Sequence, residues 1–298
     1  MNNPLNCSSQ FHSPTLTPTL TKDGSFTFFS ETFQETFHSQ SGAKEEAERK
    51  FVEPCRLTER AKSQGSLTLL DVCFGLGYNS AAALTAIWAV NPQCHVTLMA
   101  LELDPLIPQT AIAQGLWQGW PDSVIEPLAL LSHRGEVQSE YLQARLYLGD
   151  ARQTLPRVQQ TGFLASAIFL DPFSPPKCPQ LWTVEFLQLV SACLAPAGWL
   201  ATYSCAATVR TALLLAGLQV GPSPQVGRRS PGTLANWTGE GLEPLSLREQ
   251  EHLQTKAAIP YRDPTLTGDR PEILARRQQE QAESELEATH QWKKRWFS

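Results

Sequence analysis

The sequence predicts one doubly wound α/β domain, and three observations carry that expectation. From Ser66 onward, short apolar runs alternate with helical segments, as repeated strand-helix-strand units do. A glycine turn follows the first run directly. An acid stands at or near the end of each of the first four runs: Asp71, Glu102, Asp150 and Asp171.

In chain order, residues 1–23 begin with 21 uncharged residues rich in Ser, Thr and Pro, and read as a disordered tail. They lack the basic start and apolar middle of a signal peptide. Residues 24–65 form a candidate cap or lid, with Phe28, Phe29, Phe33 and Phe37 ahead of an amphipathic helical stretch, Lys44 to Lys50. The domain itself spans 66–243. Its expected strands are Leu67–Val72, Val96–Leu101, Arg145–Leu148, Ala167–Leu170 and Trp199–Tyr203, each followed by a helix, with a last pair of short strands between Leu218 and Asn236. Gly119 to Gln143 is an insertion expected to form an extra surface element. From 244 to 298 a charged extension is expected to form helices at Leu247–Lys256 and Glu272–Trp296 and to pack on the domain.

The 298 residues are 42% hydrophobic and 18% charged, enough to bury a core. A net charge of -5 gives no general attraction to polyanions, so any nucleic-acid contact must come from a local basic patch. The longest helical apolar run, Ala81 to Val90, falls short of the roughly 20 residues that span a bilayer. Seven cysteines without close pairs suit a reducing cytoplasm, and no metal site is expected.

"LLDVCFGLGYNS" (69–80) reads as strand, tight turn and helix, with Asn79 or Ser80 as the helix cap. Gly75 and Gly77 let a ligand approach the backbone, near unpaired N–H groups of the helix start. A turn serving only strand-to-helix geometry is the alternative. A dinucleotide fingerprint is incomplete, because Ser80 and Cys73 stand where glycines are wanted. Glu102 can accept from two ribose hydroxyls, and Asp150 from an adenine amino group. Ligands of open α/β sheets bind at strand carboxyl ends, so Asp71, Gly75, Gly77, Glu102, Asp150 and Asp171 belong to one crevice. Acids without lysine or arginine among them suit no phosphate. They suit S-adenosylmethionine, with its hydroxyls, amine and sulfonium.

"FLDPFSPPKCPQLW" (169–182) places Asp171 in a loop with prolines at 172, 175, 176 and 179. The loop resembles the D-P-P-[FY] turn of class I amino-methyltransferases. Methyl transfer needs an unprotonated nitrogen held near the methyl, and a carboxylate that accepts an N–H or a proton provides it. The prolines stiffen the loop and lower the entropy of ordering it. Phe173 and Trp182 either stack on a base or anchor the loop. Lys177 is either solvated or near a phosphate, and Cys178 takes no part in the chemistry.

These motifs, with "ALELD", "LYLGDA", "GWLATYSCAATVRTALLLAGLQV" and "VGRRSPGTLA", resemble the methyltransferase part of the MnmC family over roughly residues 24–236. The family pattern F-L-D-x-F-x-P-x-K-x-P-x-x-W is met at Phe169, Leu170, Asp171, Phe173, Pro175, Lys177, Pro179 and Trp182. Tyr78, Ser80, Pro172 and Ser174 depart from the family's usual residues. The resemblance implies a class I, Rossmann-like methyltransferase that moves a methyl group from S-adenosylmethionine to the exocyclic amine of 5-aminomethyl-(2-thio)uridine at the tRNA wobble position. It implies Asp171 at the substrate amine. Asp71, Phe74, Gly75, Gly77, Asn79, Glu102 and Asp150 then line the cofactor, and Phe173, Lys177, Trp182, Arg228 and Arg229 meet the tRNA. No second glycine fingerprint is present, so a stand-alone form without the flavin oxidase domain is expected.

Two basic segments are candidates for RNA: Arg210, Arg228 and Arg229, and the "QWKKRWFS" ending, whose aromatics instead dock on the domain in the favoured reading. His38 either faces the cleft or is structural. Two other activities share these features, a spermidine-synthase-like aminopropyltransferase and a non-catalytic RNA-binding scaffold. The first needs extra acids for a polyamine, and the loop after Asp171 has none before Glu185.

Overall fold

The computed structural model describes residues 16–225 and 231–297. Its strands are β1 (Pro18–Leu20), β2 (Phe26–Ser30), β3 (Glu35–Thr36), β4 (Ser66–Val72), β5 (His95–Glu102), β6 (Glu136–Gln138), β7 (Leu142–Leu148), β8 (Ala165–Leu170), β9 (Leu194–Thr202), β10 (Gln219–Pro222) and β11 (Thr233–Asn236). An eight-stranded sheet has the order β10-β11-β9-β8-β4-β5-β7-β6. β9, β8, β4, β5 and β7 run parallel, while β6, β10 and β11 are antiparallel to their neighbours.

The apolar runs are strands because both faces of the sheet are covered. Leu69, Leu98 and Phe169 join a core on one face, with Ala81, Leu84 and Leu128 of the covering helices. Leu70, Ile168 and Leu170 join the core on the other, with Leu155, Leu187 and Val209. From β4 the chain builds outward through β5 to β7, then returns to place β8 on the other side of β4. That reversal opens a crevice at the carboxyl ends of β4 and β8, where such sheets take ligands. All five expected parallel strands and both short ones near the end are present.

Three expectations need correction. The tail stops before residue 18, because β1 pairs antiparallel with β2, and Thr21 is buried beside it; residues 1–15 lie outside the described residues. The insertion is more than a surface element: its helix, Asp122–Arg134, buries Val124, Leu128 and Leu131 in the main core and leads into edge strand β6. The last helix is two, Arg270–Glu283 and Thr289–Phe297. Ser284 turns extended, its hydroxyl accepting from the Leu286 N–H, and Glu287 forms a bridge with Thr255. The cap segment is a three-stranded meander, β1-β2-β3, followed by a helical stretch from Ala43 to Val52 whose second half, Ala47–Val52, winds as a π-helix. Among the described residues no helix is long and apolar enough to cross a membrane.

Candidate active site

At the end of β4 the backbone enters the left-handed region three times, at Cys73 (φ 72°), Gly75 (55°) and Gly77 (81°). Cys73 thus takes the conformation that a first glycine would supply. The turn is sewn to β5: the N–H groups of Cys73 and Phe74 donate to the Leu101 carbonyl, and the Gly75 N–H donates to Glu102 Oε2 at 2.7 Å. A β-carbon on Gly77 would lie 2.8 Å from the Phe74 ring, so this position has room only for hydrogen.

The helix Tyr78–Val90 starts from Gly77 with no side-chain cap, contrary to the reading of Asn79 or Ser80 as caps. Both side chains point to acids instead. Asn79 Nδ2 donates to Asp171 Oδ2 at 2.9 Å, and Ser80 Oγ donates to Asp71 Oδ2 at 2.6 Å. One helix turn therefore fixes two carboxyl groups from two strands.

A cavity of about 320 Å³ occupies the crevice. Phe74, Gly75, Asn79, Glu102, Asp171 and Phe173, all expected at the site, line it together. Glu102 is 8% exposed, and its oxygens also accept the Gly75 and Asp104 N–H groups; burial raises its carboxyl above the usual range. Leu103, Cys178 and Leu181 add an apolar slot beside it. Burial pushes the Cys178 thiol up to about 12, so it serves as apolar surface.

The meander supplies the roof, which the sequence left as an undefined cap. Phe33 stacks on Phe173 at 4.3 Å, and Phe37 meets the same ring edge-on at 4.9 Å. His38 stacks on Tyr78 at 5.2 Å and faces the cavity, and burial pushes its imidazole down to about 4, against the pull of Glu46 and Asp23. Glu35 accepts hydrogen bonds from the N–H and hydroxyl of Ser174, joining β3 to the Asp171 loop. No spacing in the sequence marks these residues; only the density of phenylalanine from 26 to 37 hints at them.

The Asp171 loop is held at each turn. The Asp171 N–H donates to Val72, the Tyr203 hydroxyl to the Pro172 carbonyl at 2.9 Å, Trp182 Nε1 to the Phe173 carbonyl at 2.8 Å, and Arg270 to the Pro176 carbonyl. Trp182 is fully buried in this role and offers no face to a base.

Other expected residues also lie off the cavity wall. Asp71 is wholly buried beneath the turn, where desolvation pushes its carboxyl up to about 7 although Ser80 pulls it down. Gly77 shapes the turn from behind. Asp150 accepts from the Arg152 N–H as a helix cap and is paired with the Arg152 guanidinium at 2.7 Å, which also bonds Asp263 at 3.0 Å. The acids are therefore not free of arginine: Arg152, two residues along, takes up Asp150. Lys177 is half-buried outside the wall. Arg228 and Arg229 lie outside the described residues. Arg210 is buried against Glu249 at 2.8 Å and cannot meet phosphates. The ending docks: Trp292 stacks on His252 at 4.0 Å, and Arg295 pairs with Glu251 and Glu287.

The wall suits S-adenosylmethionine, with a carboxylate at the end of the second parallel strand for hydroxyls, glycine backbone beside it and an apolar slot for a flat base. Residues 108–238 match the family described as S-adenosyl-L-methionine-dependent methyltransferase. The chain is 31% identical over 268 residues to an uncharacterized protein of Methanocaldococcus jannaschii, covering 87% of this chain and 70% of that one. It is 29% identical over 225 residues to the tRNA 5-methylaminomethyl-2-thiouridine biosynthesis bifunctional protein MnmC of Azoarcus sp., covering 72% of this chain and 35% of the relative. It spans only about a third of the length of such bifunctional relatives, 35% and 32% in two of them. The crystal structure of MnmC2 from Aquifex aeolicus matches with a TM-score of 0.79 and 34% identity, over 90% of this chain and 86% of that one. A glycine turn, a buried carboxylate at the end of β5 and a stiffened Asp171 loop on this sheet, with these relatives, make the chain a member of the S-adenosylmethionine-dependent methyltransferase family to which MnmC2 and the methyltransferase part of MnmC belong.

Proposed function

We propose that the chain methylates the exocyclic amine of 5-aminomethyl-(2-thio)uridine at the wobble position of tRNA in the cytoplasm, and that Asp171 orients or deprotonates that amine. The observation that carries this reading is the position of Asp171, at the end of β8, on the wall that also holds Glu102 and the glycine turn.

S-adenosylmethionine, when bound, supplies an electrophilic methyl group. Glu102, Gly75 and Phe74 hold the nucleoside end, and Leu103, Cys178 and Leu181 enclose the base. A primary amine is mostly protonated near neutral pH, so its lone pair must be freed before it can attack. Asp171 accepts an N–H from the ammonium and takes its proton, while the Asn79 amide fixes one carboxylate oxygen. The hydrogen bond to Asp171 would turn the amine so that its lone pair faces the methyl group. The new N–C bond would replace the methyl–sulfur bond, whose electron pair leaves with the thioether sulfur, and the amine's proton would stay on Asp171.

Aminopropyl transfer cannot be set aside for want of acids, because the fold brings Glu35 and Glu46 close to Asp171 from the cap segment. Family membership is what favours methylation.

The test is nucleoside mass spectrometry of tRNA from a strain lacking the gene, which is expected to accumulate the unmethylated aminomethyl or carboxymethylaminomethyl uridine. Unchanged nucleosides would remove the proposed substrate. With purified protein, Asp171→Asn is expected to lower methyl transfer at least about 100-fold, the scale of general base catalysis, with cofactor affinity unchanged. Retained turnover would take Asp171 out of this role.

A further inference from the structure

Asp171 lines two cavities. The second, of about 330 Å³, is walled by Glu35, Thr36, Phe37, Glu46, Asp171, Pro172, Phe173, Ser174 and Tyr203, and shares only Phe37, Asp171 and Phe173 with the first. Its volume lies at the small end of ligand pockets, which run from about 300 to 1,000 Å³. It holds none of the residues suited to a nucleoside cofactor: Glu102, Gly75 and the apolar slot all face the other side.

We propose that this second cavity receives the acceptor, as a flat uracil ring carrying a primary ammonium. The inference rests on the function proposed above and locates its substrate. The ring has aromatic walls in Phe37, Phe173 and Tyr203. The charge is met by carboxylates from three elements: Asp171 after β8, Glu35 on β3 and Glu46 in the helical stretch after the cap strands. No lysine or arginine lines the cavity among the described residues. Lys50, which is fully buried, sits behind Glu46 at 3.0 Å and neutralises it, so the negative charge facing the cavity comes chiefly from Glu35 and Asp171. Glu35 accepts its two hydrogen bonds from Ser174, a neutral partner, and each of its oxygens keeps a lone pair for an ammonium. Asp171, Phe37 and Phe173 border both cavities, so the amine of an acceptor on this side meets Asp171 at the boundary with the cofactor pocket, where the base can take its proton from beside the line of attack.

The probe is 5-(aminomethyl)uridine, titrated calorimetrically into the full-length protein, with 5-(hydroxymethyl)uridine as its neutral counterpart. The wild type is expected to bind the amine at least tenfold more tightly. Thr36→Trp, which fills only the second cavity, is expected to weaken amine binding at least tenfold while the dissociation constant for S-adenosylmethionine stays within twofold. Glu35→Gln, a smaller change, is expected to bring the two nucleosides within threefold of each other with cofactor affinity retained; it decides the matter should Thr36→Trp fail to fold. Equal binding of the two nucleosides by the wild type, or a Glu35→Gln protein with undiminished preference for the amine, would overturn the assignment. So would unaltered amine binding by a folded Thr36→Trp. Methyl transfer to tRNA by the wild type is measured alongside: its absence counts against the proposed function, whereas transfer that survives in Thr36→Trp counts against the cavity alone.

Discussion

Asp71 shows how far burial can change a residue that the sequence displays plainly. It sits in the motif, one strand from Glu102 and Asp171, yet has no exposed surface and one oxygen without a hydrogen-bond partner. Its carboxyl, pushed up to about 7, holds its proton in the folded chain over a range where the unfolded chain, with a pKa of about 3.9, has released it. From about pH 4 to 7 the folded state therefore binds more protons, and stability falls as pH rises, by at most about 1.4 kcal/mol per unit. Below that window the group has no effect, and above it the loss is complete. Asp71→Asn keeps the Ser80 bond without the charge. Its stability relative to wild type is expected to rise across that window and level off above pH 7, read from urea midpoints at several pH values. Parallel curves for the two proteins would mean that Asp71 is ionised throughout. Asp150 went astray for a different reason: its place at a strand end was legible, but the partners that engage it were not, since Arg152 is neighbouring and Asp263 lies 111 residues from Arg152. Trp182 could be read equally as platform or anchor, because an indole serves both and only the position of the Phe173 carbonyl decides.

Among elements, the inner parallel strands β4, β5 and β8 were legible because burial on both faces makes them largely apolar runs, whereas β7, LQARLYL, alternates buried with exposed residues over its first half and showed only its last four residues. The meander was not. β1 and β3 are three and two residues long, too short for an alternating pattern, and what fixes them is remote: the Phe26 N–H reaches the Tyr78 hydroxyl, and Glu35 reaches Ser174 across 139 positions. Nine of the 22 residues of the site wall therefore come from segments that the sequence marked only as a tail or a candidate cap. The glycine turn, by contrast, was legible at Gly75 and Gly77, and Gly77 tests its geometry. A left-handed alanine costs about 1–2 kcal/mol in conformation alone. The added carbon would also press on Phe74 and Trp117. Gly77→Ala is expected to lose at least that much stability in denaturant titration and to bind cofactor more weakly, as Phe74 is displaced. An unshifted midpoint would show that the turn relaxes freely.

For the whole molecule, the C-terminal extension is part of the core. Tyr261 and Ile273 are buried with the sheet residues Leu70 and Ile168, and Arg210, 2% exposed, spans from Thr233 of β11 to Glu249 of the extension. Removing one partner of a buried ion pair costs about 3–5 kcal/mol. At roughly 2–4 °C per kcal/mol in a chain of this size, Arg210→Met is expected to lower the melting temperature by about 10 °C. Weakened RNA binding with an unchanged melting temperature would restore the arginine to a phosphate-contacting role. The sequence displayed the charge of Arg210 but not the acid that answers it 39 residues later.

The rims of the large sheet have a further effect. β10 offers four residues at one border and β6 three at the other, each running against its neighbour. A foreign strand finds few vacant amides there to zip onto. An enzyme whose central parallel ladder must assemble from distant segments thus leaves little foothold for fibril growth once that ladder has closed.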